Sequence, residues 1–160
     1  MDRKIGRKEK KDMTDDMNAE RGETPLEIMT RTLGEWASSA GADALTPFDD
    51  EGVARVRFGQ GLEASFAVRG DVYASAVAGS LAGCADRAKV CAGLLESHFL
   101  WRDLGGFTIA LAPDGETVEV QDRRSAEWFG DGDGFAAYLG RYEEAIRTVR
   151  GFLAYNREEA

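Results

Sequence analysis

Two short runs of alternating apolar and polar residues, joined by Gly59-Gln60-Gly61, constrain this chain more than any other feature. In the first run Ala54, Val56 and Phe58 alternate with Val53, Arg55 and Arg57. In the second, Leu62, Ala64, Phe66 and Val68 alternate with Glu63, Ser65, Ala67 and Arg69. Successive strand residues point to opposite faces, so each run predicts a strand with one buried face. Glycine accepts the positive φ of tight turns, so the intervening tripeptide predicts a hairpin. Asp71–Ala78 follows directly after Arg69-Gly70 and predicts a third antiparallel strand, with Tyr73 and Val77 on one side. A meander of this kind has one face to cover, and helices must supply the cover.

The flanking segments provide them. Thr24-Pro25-Leu26-Glu27 reads as a capping box with proline at the first helical position. It opens a helix with Leu26, Met29, Leu33, Trp36 and Ala37 as its stripe, and Gly41 ends it. Residues 85–101 return to a helical period, with Ala88, Cys91, Leu94, Leu95, His98 and Phe99 on a broad face. Phe107–Leu111 and Thr117–Gln121 predict two more strands around a Pro113-Asp114-Gly115 turn. A final helix over about residues 134–157 carries Phe135, Tyr138, Leu139, Tyr142, Ala145, Ile146, Val149, Phe152 and Leu153, with Asp131 or Asp133 as its N-cap. The expected fold is α+β, a twisted antiparallel sheet with helices in the order α-β-β-β-α-β-β-α.

Charge narrows the partners. Of 160 residues, 20 are basic and 29 acidic, and the net charge is −9. Residues 1–22 hold seven of the bases and six of the acids, so residues 23–160 carry about −10. The arm has few branched apolar residues and is expected to be disordered, leaving residues 23–160 as one domain. An acidic body disfavours nucleic acid and anionic membrane. No apolar run reaches the length of a transmembrane helix, and the first residues lack the apolar core of a secretory signal. Two cysteines without an export signal suit a reducing cytoplasm.

No residue pattern carries convincing catalysis. His98 is the only histidine, and Cys84, Cys91 and His98 stand seven apart. Seven residues of one straight helix rise about 10.5 Å, too far for one metal ion or one thiolate–imidazole pair within a chain. Only a dimer seam could join Cys91 to His98, which leaves a Cys/His enzyme as a weak alternative. Asp131-Gly132-Asp133-Gly134 has Ala136 and Tyr142 where a calcium loop needs glycine and glutamate. No phosphate-binding glycine loop occurs. The expectation is therefore no enzyme, no metal and no cofactor. What remains is packing surface: Leu94, Leu95, Phe99, Leu100 and Trp101 cover more of the middle helix than one sheet needs. A homodimer through Cys91, Leu94, Leu95, His98 and Phe99 is the expected use of that surface.

The run Leu94-Leu95-Glu96-Ser97-His98-Phe99-Leu100-Trp101, with Gly105-Gly106 leading into the next strand, resembles the class I type III secretion chaperones of the Tir-chaperone-like family. That signature has a Leu-Leu pair, an Asn-Phe pair and a glycine turn into a strand, and His98 stands where asparagine is usual. The resemblance covers about residues 24–155. It implies a cytoplasmic, ATP-independent homodimer that holds the non-globular N-terminal segment of a secreted effector. An extended client can add a strand to a sheet edge while its side chains fill apolar pockets. Leu33, Trp36, Phe48, Val56, Phe58 and Phe66 are the candidates to contact it, with ordinary core packing as the alternative for each. A fold-related partner-binding dimer not dedicated to secretion is the runner-up reading.

Overall fold

The computed structural model describes residues 22–98 and 104–157. The expected arm, residues 1–22, falls almost wholly outside them, as do Phe99, Leu100 and Trp101. Helix α1 spans Pro25–Ala40 and opens on the capping box as expected: the Glu27 amide donates to Thr24 Oγ1 at 3.3 Å, and the Thr24 amide donates to Glu27 Oε2 at 2.7 Å. The Thr24 amide and hydroxyl, both donating to Glu27 Oε2, hold the Glu27 carboxyl below its ordinary pKa.

Six strands follow in one antiparallel sheet of order β1-β2-β3-β4-β6-β5. They are β1 (Leu45–Thr46), β2 (Val53–Phe58), β3 (Leu62–Arg69), β4 (Asp71–Ser80), β5 (Thr108–Leu111) and β6 (Thr117–Arg124). The hairpin pairs Phe58 with Leu62, and Gly59 and Gly61 take positive φ of 55° and 78°. The expected alternation holds: Ala54, Val56, Phe58, Leu62, Ala64, Phe66, Val72, Ala74, Ala76 and Ala78 are all buried. Tyr73 and Val77 lie exposed on the opposite face.

Helix α2 (Arg87–His98) starts two residues later than the periodicity suggested, because Asp86 caps it through the Lys89 amide at 3.0 Å. Cys84 consequently sits in the turn before α2, tied to Arg157 by a β-bridge, and not on one helix with Cys91. Helix α3 (Gly132–Tyr155) has Asp131 as its N-cap, with Gly134 N donating to Asp131 Oδ1 at 2.9 Å. At the Asp114 turn one carboxylate accepts from the Glu116 and Thr117 amides and the Thr117 hydroxyl, which fixes β5 against β6 and lowers the Asp114 pKa.

The core lies between α1, α3 and the buried face of the sheet. Phe135 meets Trp36 of α1 at 5.6 Å and Phe66 of β3 at 5.2 Å between ring centroids. Tyr142 stacks near Phe58 and Phe107 at 6.2 and 5.0 Å. Two polar links fix α1 to the start of α3: Thr32 Oγ1 donates to the Gly130 carbonyl at 3.2 Å, and Gly132 N donates to Glu35 Oε2 at 3.0 Å. The two buried tyrosines differ. Tyr142 donates its hydroxyl to the Val120 carbonyl, whereas the Tyr138 hydroxyl, though near Asp122, has no partner within hydrogen-bond geometry among the described residues. Burial pushes both hydroxyls well above their ordinary pKa.

That difference predicts opposite outcomes for the same substitution. Tyr142→Phe should lower stability by about 1–2 kcal/mol, and Tyr138→Phe should leave it equal to or above wild type. Urea denaturation of the two variants measures both, and the reverse ranking would overturn the assignment.

Candidate functional site

Three depressions gather the residues singled out from sequence. The first lies between α2 and the outer strand β5. Val90 and Leu94 turn into the core, at 2% and 6% exposure, and anchor α2. Gly93 lets α2 approach α3, since a Cβ there would lie 2.5 Å from Phe152 Cζ. On the outward side, Leu95 is 72% exposed and Leu111 of β5 is 50% exposed. Between them runs an apolar groove of about 230 Å³, lined by Leu81, Cys91, Leu94, Leu95, Ile109 and Leu111 among others. Cys91 is half-buried in that wall and its thiol is free. Of the five residues expected at a dimer seam, Cys91 and Leu95 therefore reach this surface. Leu94 lines the groove from the core side. Phe99 and the His98 side chain lie outside the described residues.

The second depression, of about 180 Å³, follows the sheet edge at β1, where Thr30, Leu33, Leu45, Pro47 and Phe48 meet. Strand β1 covers only Val56 and Arg55 of β2, so most of this edge has no further strand on it. The third, about 390 Å³, lies over Trp36 and Phe58, where Gly59, Ala136 and Gly140 leave room between α1, α3 and the hairpin.

These positions sort the six residues expected to contact a client. Phe48 is half-buried, with part of its ring on the surface. Leu33, Trp36 and Phe58, buried at 1%, 6% and 8%, form the floors of depressions. Val56 and Phe66 have no exposure at all, and the alternative of ordinary core packing holds for them. Both lie on the buried face of the sheet, Phe66 against Phe135 and Tyr138 of α3, where no client can reach without opening the core. Sequence reasoning missed Leu45, Pro47 and Leu111. Leu45 and Pro47 stand in a segment too short and irregular for a strand period. Leu111 continues the Phe107, Ile109 alternation and could have been read from it.

Among the described residues, no group of three His, Cys, Asp or Glu side chains is placed to hold a metal ion, and no helix is long and apolar enough to cross a membrane. An exposed apolar helix flank lies beside one sheet edge; beside the other lie a small apolar hollow and a more polar one bounded by Arg57 and Glu143.

No protein-family model and no curated protein sequence matches the chain. Solved structures do. The chain is similar to one in the crystal structure of the ExsC–ExsE complex, with a TM-score of 0.65 and 15% identity over 78% of this chain and 92% of that one. It is similar to one in the HopA1–SchA chaperone–effector complex, with a TM-score of 0.60 and 13% identity over 82% and 99%. A third is the Yersinia pestis type III secretion chaperone SycH in complex with a fragment of YscM2, with a TM-score of 0.56 and 17% identity over 75% and 98%. The chain thus has the fold of the type III secretion chaperones, as the resemblance in its sequence implied.

The exposure of α2 yields a paired prediction. Leu95→Asp should give a folded monomer by analytical ultracentrifugation if this flank joins two copies, because the side chain contacts no core. Leu94→Asp should unfold the chain, because it places a charge in the core. A Leu95→Asp variant that remained dimeric would move the seam elsewhere.

Proposed function

We propose that this protein is a cytoplasmic, ATP-independent chaperone for type III secretion, a homodimer that holds the non-globular N-terminal segment of a secreted effector. The observation that carries the reading is the shared fold, which spans 92–99% of three neighbours, each of them in complex with a protein partner. The neighbour in the HopA1–SchA structure is part of a chaperone–effector complex, and SycH is a type III secretion chaperone. The role assigned here is binding rather than catalysis.

The two apolar regions divide that role. The α2–β5 flank joins the protomers: Leu95, Leu111 and Cys91 supply a continuous apolar strip, and a two-fold axis brings each strip against its copy. The β1 edge receives the client. An extended segment pairs beside β1 while its side chains enter the hollow of Leu33, Leu45 and Phe48 and the one over Trp36 and Phe58. Ordering the client costs about 2–5 kcal/mol, which strand pairing along β1 must offset together with burial of the client's own apolar side chains in these hollows.

The test is direct binding between the purified chain and the N-terminal segments of the secreted effectors of its own bacterium. A stoichiometric complex, seen by size exclusion with light scattering, is expected for at least one. Binding to none of them would refute the secretion role. Phe48→Glu should weaken the complex by about tenfold or more while leaving the dimer intact, as expected for a contact worth one or two kcal/mol.

The working unit in this reading is residues 23–160. A variant lacking residues 1–22 should keep the same oligomeric state and effector affinity, measured side by side with the full chain. Loss of either property would assign the arm a part in binding.

A further inference from the structure

The sheet parts between β3 and β4. Their ladder runs from Arg69↔Asp71 to Ser65↔Ser75 and stops there, although β3 begins at Leu62 and β4 continues to Ser80. Beyond Ser75, β4 stays with β6, and a register shift between Val77 and Gly79 bends it. Gly79 permits that bend by letting α3 come close, since a Cβ there would lie 2.7 Å from Leu153 Cδ1. The diverging strands leave a cleft of about 640 Å³, bounded by Glu63 and Ser65 of β3, Ser75 and Val77 of β4, and Glu119 and Gln121 of β6. Arg150 of α3 closes one side, its guanidinium committed to the Ala78 and Val77 carbonyls at 3.1 and 3.2 Å.

Glu119 is the carboxylate of this cleft that meets no cation among the described residues, while Arg150 in its wall is held by backbone carbonyls. Ser75 Oγ and Gln121 Nε2 both donate to its Oε2, at 2.6 and 2.8 Å. Both donors are neutral, and no cation of the described residues forms an ion pair with Glu119. Glu63, by contrast, meets Arg57 at 3.6 Å. Glu119 is half-buried, so water screens it less than a surface carboxylate. Both donors fall on Oε2, so Oε1 accepts no hydrogen bond among the described residues, and the Gln121 and Ser65 side chains that line the same cleft carry further acceptor oxygens. Such a set matches the several N–H donors of a guanidinium.

We propose that this cleft takes an arginine side chain of an extended partner segment, with the guanidinium on Glu119 and the peptide lying along the parted strands. The inference rests on the partner-binding reading above and adds to it a side-chain preference on the sheet face away from α1 and α3. The acidic body, about −10 over residues 23–160, favours the approach of a basic segment.

Fluorescence anisotropy with the full chain tests this. The probes are two fluorescein-labelled Ser/Val peptides of about ten residues, long enough extended to cross the sheet, one with a central arginine and one with citrulline. The arginine peptide should bind about tenfold more tightly, as a charge-assisted bond implies, and Glu119→Gln should erase the difference. Ser65→Arg, which brings a guanidinium into the cleft from β3, should erase it as well and decides the matter if Glu119→Gln fails to fold. Equal binding of the two peptides, or a preference that survives both substitutions, overturns the proposal. Effector capture without an arginine preference would sink this inference alone, whereas an arginine preference without effector capture would sink only the secretion role.

Discussion

The aromatic seam along α3 is the contact on which the other elements depend. Phe135, Tyr138 and Tyr142 follow one another down the inward face of that helix, and each ring meets a different part of the chain. Phe135 touches both α1 and β3, Tyr138 packs on Phe129 in the turn before the helix, and Tyr142 reaches Phe58 in the hairpin and Phe107 ahead of β5. Rings of this size bury more area per residue than any aliphatic side chain. One helix can therefore cover most of the sheet's inner face, with α1, the Ala126–Phe129 turn and the inward side of α2 completing the core. The consequence is a sheet whose opposite face, with Tyr73 and Val77, stays exposed among the described residues.

That economy explains where the interaction surfaces lie. The edge at β5 sits beside α2, whose inward anchors are as few as Val90 and Leu94, and the flank it presents is correspondingly apolar. The edge at β1 is guarded by only two residues, with an apolar hollow behind it. Short edge strands are a common defence against unwanted pairing. Here the short strand limits the opening to a segment that can also satisfy the hollow.

Much of this was legible beforehand, because the signals were local. The capping box at Thr24, the Gly59–Gly61 hairpin, the Asp114 turn and the cap at Asp131 each depend on a few adjacent residues, and each forms as read. The alternation of β2 and β3 named the buried face correctly but could not say what lay over it. Val56 and Phe66 could have faced either a client or α3, since burial by a partner and burial by the chain's own helix demand the same residue types. The β1 strand was illegible for a different reason: two residues carry no period. Where β4 bends, Gly79 lies close to Leu153, 74 positions away, an approach that no local pattern encodes.

The strand order places β4 directly beside β6, so everything from Leu81 to Glu116 is an excursion between two central neighbours. That excursion contains α2 and β5, the elements assigned here to self-association. The entropy of closing a loop grows only with the logarithm of its length. An excursion of this length therefore costs little more to close than a short one, while buried Leu81, Val90, Leu94, Leu104 and Phe107 tie it to the core. In the proposed division of roles, self-association falls to this excursion and client binding to the opposite edge, so the two surfaces are built from separate stretches of sequence.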